Sequence, residues 1–105
     1  MHVLQHTGLE KSAFPGIEHR TLACGDQGLE HLSLWRQVLA PGSATPPHRH
    51  DCEEVVVVLH GRGRLVVGGL AYAFGPDSTL VIPPGVDHQI FCDPDEPMET
   101  IAAFA

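Results

Sequence analysis

Gly and Pro together fill twenty of the 105 positions, and they cut the chain into pieces too short for long helices. Between them lie the runs 31–39, 54–60, 63–67, 70–74, 78–82, 86–91 and 98–104, each rich in Val, Leu, Ile or aromatic residues. Strand-length runs broken this often by turn residues predict an all-β sandwich or barrel. No window of a dozen residues repeats apolar positions at helical spacing, so no long helix is expected. The turns have their own logic. Gly68-Gly69 can take positive φ at both centres of a two-residue hairpin. Pro41-Gly42 and Pro84-Gly85 suit type II turns, each just ahead of a His-bearing segment.

Length and charge limit the rest. One domain fits 105 residues, and 43% hydrophobic content is ordinary for a folded one. Residues 1–15 lack periodicity and read as an N-terminal arm, loose or lent to a partner as an edge strand. The single domain is expected over 16–105. A formal charge of −7 argues against nucleic acid and anionic membrane as partners. The longest apolar runs are five residues, such as 55–59, too short to span a bilayer. The first residues carry no signal-peptide pattern, and Cys24, Cys52 and Cys92 form no C-x-x-C pair. Reduced thiols in a cytoplasmic protein are the expectation.

Eight His residues are the abnormal figure, and they point to metal chemistry. His48 and His50 stand at i and i+2, which on an extended chain puts both on one face. Glu54 opens the next apolar run at an even offset, and His88 offers a fourth donor on another strand. Imidazoles with one carboxylate suit a divalent first-row metal better than calcium. The number of His-x-His pairs expected by chance in a chain this rich in His is about one half, so the pair alone says little. Adding Glu54, Gly42 and Gly61 at their spacings lowers the chance to roughly one in a thousand.

At these residues the chain resembles the cupin superfamily. The motif G-x5-H-x-H-x3/4-E-x6-G is matched at every fixed position from Gly42 to Gly61. The second motif, G-x5-P-x-G-x2-H-x3-N, is matched at Pro83, Gly85 and His88. It departs at Asp77, where the family has Gly at a turn, and at Cys92, where it has Asn in the pocket. The resemblance implies a double-stranded β-helix, a small jelly-roll barrel. It also implies one divalent transition metal per chain (Fe, Mn, Ni or Zn) held by His48, His50, Glu54 and His88. Cupins of this type include dioxygenases, isomerases, decarboxylases and non-enzymatic binders. A metal-dependent enzyme on a small oxygen-rich substrate, of dioxygenase type, is the leading expectation. A non-catalytic binding or sensing module for a small molecule is the alternative.

The remaining residues carry weaker expectations. His2, His6, His19, His31 and His60 have no partner at ligand spacing, though His19 or His31 could reach the pocket. Cys92 shares a strand face with His88, yet a buried small hydrophobe is the commoner fate of a free thiol. Parity cannot orient Cys52. Arg36 and Arg49 could hold a substrate carboxylate, but simple surface exposure is the expectation for both. Val55, Val57 and Leu59 have opposite parity to Glu54, so they should face outward as an apolar stripe and form a homodimer interface.

Overall fold

In the computed structural model, residues 2–105 are described, and they form nine strands in two sheets. Met1, part of the expected arm, lies outside the described residues. The strands are β1 (Ser12–Phe14), β2 (Ile17–Ala23), β3 (Ser33–Leu39), β4 (Glu54–His60) and β5 (Gly63–Val67). After them come β6 (Leu70–Phe74), β7 (Ser78–Ile82), β8 (His88–Cys92) and β9 (Met98–Phe104). Their order is β1-β2-β3-β9-β4-β7 in the larger sheet and β6-β5-β8 in the smaller, with every pairing antiparallel. No α-helix occurs among the described residues, and no helix is long and apolar enough to cross a membrane.

Alternation on β4 shows how the core is filled. Glu54, Val56 and Val58 are buried, while Val55 and Val57 stay 40% and 41% exposed. On β9, Met98, Thr100, Ala102 and Phe104 point in with the same period. The two strands pair in register, Val56 opposite Ala102 and Glu54 opposite Phe104, so one inner face carries both rows. Leu59, expected outward with the valines, is half-buried instead. The register with β9 shifts between Val58 and His60, and that irregularity breaks the alternation there. Within 1–15, expected as an arm either loose or lent to a partner as an edge strand, Ser12–Phe14 form β1, which pairs with this chain's own β2.

The second sheet gains a partial fourth member. The segment after Gly42 bridges to β8 at Ala44–Phe91 and His48–His88. His48 N–H donates to the His88 carbonyl at 3.1 Å, and His88 N–H returns the bond at 2.9 Å. Thr45 N–H donates to the Ile90 carbonyl at 2.9 Å, while Cys92 N–H reaches the Ser43 carbonyl at 2.8 Å. A hydrogen-bonded ladder therefore fastens the first His-bearing segment to the strand that carries His88.

Two turn positions are informative. Gly61 has φ +97°, and a Cβ there would sit 2.7 Å from both Met98 Cα and the Pro97 carbonyl oxygen. Asp77, which replaces the motif glycine, is the one non-glycine with positive φ among the described residues, at 59°. Asp tolerates this region better than most side chains but less well than Gly. Gly61→Ala should therefore cost at least about 2 kcal/mol of unfolding free energy. Asp77→Gly should be neutral or stabilising by up to about 1 kcal/mol. Paired urea denaturation curves check both.

Candidate metal centre

His48, His50, Glu54 and His88 each turn one donor atom to a common point, and all four atoms lie within 4.8 Å of one another. They come from three places in the fold. Glu54 starts β4 and points inward by strand parity, 7% exposed. His88 starts β8 and is 3% exposed. His48 and His50 come from the irregular segment that the ladder fastens to β8. Gly85 N–H donates to the His50 carbonyl at 2.7 Å, so the Pro84-Gly85 turn holds the other end of that pair. An exposed Arg49–Asp87 contact at 2.8 Å links the same two loops on the outside.

The imidazoles are oriented by main-chain acceptors. His48 Nδ1 donates to the Pro46 carbonyl at 2.7 Å, and His88 Nδ1 donates to the Val86 carbonyl at 3.2 Å. A proton fixed on Nδ1 leaves Nε2 with a free lone pair, the tautomer that a metal takes. Ring packing limits rotation further. The tilted rings of His48 and His88 pack with centroids 4.3 Å apart, and His50 sits edge-on to Phe104 at 4.9 Å.

Electrostatics at this point are unfavourable for the chain alone. His50 Nε2 and His88 Nε2 each lie 3.3 Å from Glu54 Oε1. All three atoms are nevertheless buried without a hydrogen-bond partner. Burial pushes the Glu54 carboxyl up to about 7. Burial also lowers the His50 and His88 pKa values, and the neighbouring imidazoles add to the effect. Neutral imidazoles beside a carboxyl that resists ionisation do not make ion pairs. Once Glu54 ionises, above about pH 7, the convergent lone pairs have no proton between them; a divalent cation satisfies such a set, and these residues fit one.

His48, Glu54 and His88 also line a cavity of about 260 Å³ between the sheets. Its walls are mostly apolar, with Phe14, Ile17, Trp35, Leu39, Val56, Ile90 and Phe104 among them. Gln37, Thr45 and Thr100 interrupt the apolar lining, and among the described residues the only titratable side chains on it are His48, Glu54 and His88. His19 stands one layer behind. Gln37 Nε2 is 3.0 Å from His19 Nδ1, and His19 Nε2 is 3.1 Å from Thr21 Oγ1. His31 stays on the surface beside Glu30.

The thiols lie apart from the centre. Cys92 is buried in the core, its Sγ near the carbonyls of Leu39, Asp93 and Glu96, and burial raises its pKa. It is absent from the cavity wall, in keeping with the small-hydrophobe reading. Cys52 packs against the core from outside, and all three cysteines are free. Trp35, Gln37 and Thr45 were not singled out from sequence as pocket residues. Only the alternation around Trp35 and Gln37 on β3 could have suggested them.

Glu54 generates a test. Its carboxyl pKa is above the ordinary value, so its stabilising share in the metal-free protein is complete below about pH 4.5. That share is lost as pH rises through about 7. The lowered imidazole values act in the opposite direction, and comparison with a variant isolates the carboxylate. Glu54→Gln should raise metal-free stability at pH 8 by about 1–3 kcal/mol, read by thermal melts. The gain should vanish by pH 4.

Comparison with known proteins places this arrangement. The family model described as a cupin domain matches residues 35–104, two thirds of the chain. Auxin-binding protein 1 of Arabidopsis thaliana is 38% identical over 86 aligned positions, covering 72% of this chain and 43% of that protein. The 5-aminosalicylate 1,2-dioxygenase of a Comamonas species is 34% identical, over 72% of this chain and 23% of that enzyme. The chain thus spans about half or less of the length of these relatives. Among solved structures, an RmlC-like cupin from Shewanella frigidimarina superposes with a TM-score of 0.85 at 21% identity, covering 99% of this chain and 89% of the other. The polyketide cyclase RemF of Streptomyces resistomycificus gives 0.84 at 24%, over 99% and 78%. Two antiparallel sheets around a His-His-Glu-His cluster, matched by the family model over most of its strands, make this chain a member of the cupin family.

Proposed function

We propose that the chain holds one divalent transition metal (Fe, Mn, Ni or Zn) at His48, His50, Glu54 and His88. Beside it the chain would bind a compact molecule with an aromatic or apolar body and an anionic oxygen. The observation that carries this reading is the cavity's polarity. Three of the four clustered donors, His48, Glu54 and His88, line the cavity, and its walls are otherwise free of charged side chains. An aromatic ring buried against Trp35 and Phe104 gains from area removed from water and from ring packing. A carboxylate or enolate at the other end meets the net positive charge that three neutral imidazoles and one carboxylate leave on a divalent ion. Relatives named for auxin binding, which match 72% of this chain, support a reading of small-molecule binding.

Binding takes precedence here over the enzyme favoured from sequence. The cavity offers no acid or base beyond the candidate ligands themselves, so proton-transfer chemistry such as isomerisation has no independent group to use. Oxygenation is the second reading, supported by the dioxygenase relative. When bound, such an ion would polarise and orient a ligand oxygen, and four protein donors leave about two of its octahedral positions free. The chain's own part would be to orient the aromatic body and keep water out.

Metal-free protein reloaded with Zn(II), Mn(II), Ni(II) or Fe(II) separates these readings. Elemental analysis should give one ion per chain, lost in His88→Ala. Affinity should fall as pH drops through about 7, where a proton competes for Glu54. Calorimetry with arylacetates and hydroxybenzoates should show metal-dependent binding, weakened at least about tenfold in Trp35→Ala. Oxygen uptake by the Fe(II) form with a hydroxybenzoate would move the assignment to the dioxygenase. No binding by any loaded form would end the proposal.

We also infer a homodimer. Val55, Val57 and Val81 leave an apolar band on the outer face of β4 and β7, with Val81 67% exposed and opposite Val55. Three free cysteines support a reducing compartment such as the cytoplasm. A two-fold interface presents the same patch twice, so one charge acts twice. Val57→Glu should shift the protein to monomer in sizing with light scattering. A wild-type chain that is monomeric at high micromolar concentration would exclude the interface.

A further inference from the structure

The chain has six Lys and Arg residues against thirteen Asp and Glu, yet three of the six line one groove on the outside of the larger sheet. Lys11, Arg20 and Arg36 surround a space of about 250 Å³, together with Glu18, His19 and Val38. Arg20 on β2 stands directly opposite Arg36 on β3. Like charges at opposed positions of an antiparallel pair repel, so the arrangement lacks a counter-charge. The local carboxylates do not supply one to Arg20. Glu18 is 3.1 Å from Lys11, and Glu99 is 2.8 Å from Arg36. Arg20 makes neither an ion pair nor a side-chain hydrogen bond among the described residues. Its Nε is screened from solvent with no acceptor at all.

We propose that this groove is an oxyanion site that takes a phosphate group, free or carried on a small molecule. Guanidinium groups present paired N–H donors that match the oxygens of a phosphate. Three cations against two carboxylates leave the groove positive on an otherwise acidic chain. The terminal N–H groups of Arg20, unlike its screened Nε, are free to donate to such a group, and the opposed Arg20 and Arg36 gain a shared counter-charge. The site is separate from the metal centre. Arg36 lies between Trp35 and Gln37, whose side chains face the cavity on the other side of β3.

Metal-free protein, which removes the competing site, is titrated with inorganic phosphate and separately with glycerol 3-phosphate. Amide shifts are followed by NMR against chloride at matched ionic strength. The expected result is saturable shifts in β2 and β3 that persist in His88→Ala. Arg20→Gln and Arg36→Gln should each weaken binding at least about fivefold. Glu99→Gln, which frees Arg36 and removes a repelling carboxylate, should tighten it at least about twofold. Glycerol 3-phosphate binding several-fold tighter would identify a phosphorylated small molecule, and equal binding would identify phosphate itself. Shifts no larger than those from chloride would overturn the site. So would unchanged affinity in folded Arg20→Gln and Arg36→Gln.

Discussion

The burial of one carboxyl group opposes the stability of this fold, and much of the architecture makes sense as a response to it. Glu54 sits in the wall of an apolar cavity with an orphan oxygen, facing imidazole nitrogens that are themselves unpartnered. A core built only for stability would place an apolar side chain at this inward position of β4, as Val56 and Val58 do at the next two. Removing water from a carboxylate is costly unless an opposing charge replaces it. The stability given up by the metal-free chain is the driving force available to a cation that enters.

That driving force is useful only if the donors stay converged, and backbone hydrogen bonds supply the convergence. His48 and His50 belong to no regular strand, so strand geometry does not orient them. The reciprocal His48–His88 bonds bring the loop onto β8, and the Gly85–His50 bond closes it from the other side. The carbonyls of Pro46 and Val86 then fix which nitrogen of His48 and His88 faces inward. Each of these bonds uses a main-chain group beside a proline or glycine. The turn residues that punctuate the sequence therefore also hold the centre together.

This division explains what could be read in the sequence. The runs at β4, β5, β6, β7 and β9 coincide with the observed strands because Gly or Pro bounds most of them and apolar residues fill them. The β8 strand begins at His88, two residues later than expected. Val86 and Asp87 turn their carbonyls to His88 Nδ1 and Gly68 N–H, which leaves them outside the ladder with β5. The β2 strand went unread, since His19 and Thr21 occupy positions that face inward beside Gln37. Polar residues there erase the alternation that marks a half-buried strand. The cluster was legible because its four donors keep fixed spacings to turn glycines. The cavity was not, because Trp35, Gln37 and Thr45 belong to no motif.

The polar interior of β2 has a consequence for the outer surface of the same sheet. The inward members of β2 and β3 serve the cavity, directly through Trp35 and Gln37 and at one remove through His19. The alternate positions, Glu18, Arg20, Arg36 and Val38, line the groove outside, and His19, bonded to Gln37 of the cavity, also borders that groove. Because a strand alternates, each residue that tunes the cavity is covalently flanked by one that shapes the groove. A one-residue slip of β2 against β3, which β9 holds from its other side, would turn β2 over and carry Arg20 to the inner face. The Arg20–Arg36 opposition is thus maintained by the same pairing that sets His19 against Gln37. Repulsion on one face is tolerated because the pairing on the other face, with its hydrogen-bonded chain to the cavity, requires that register.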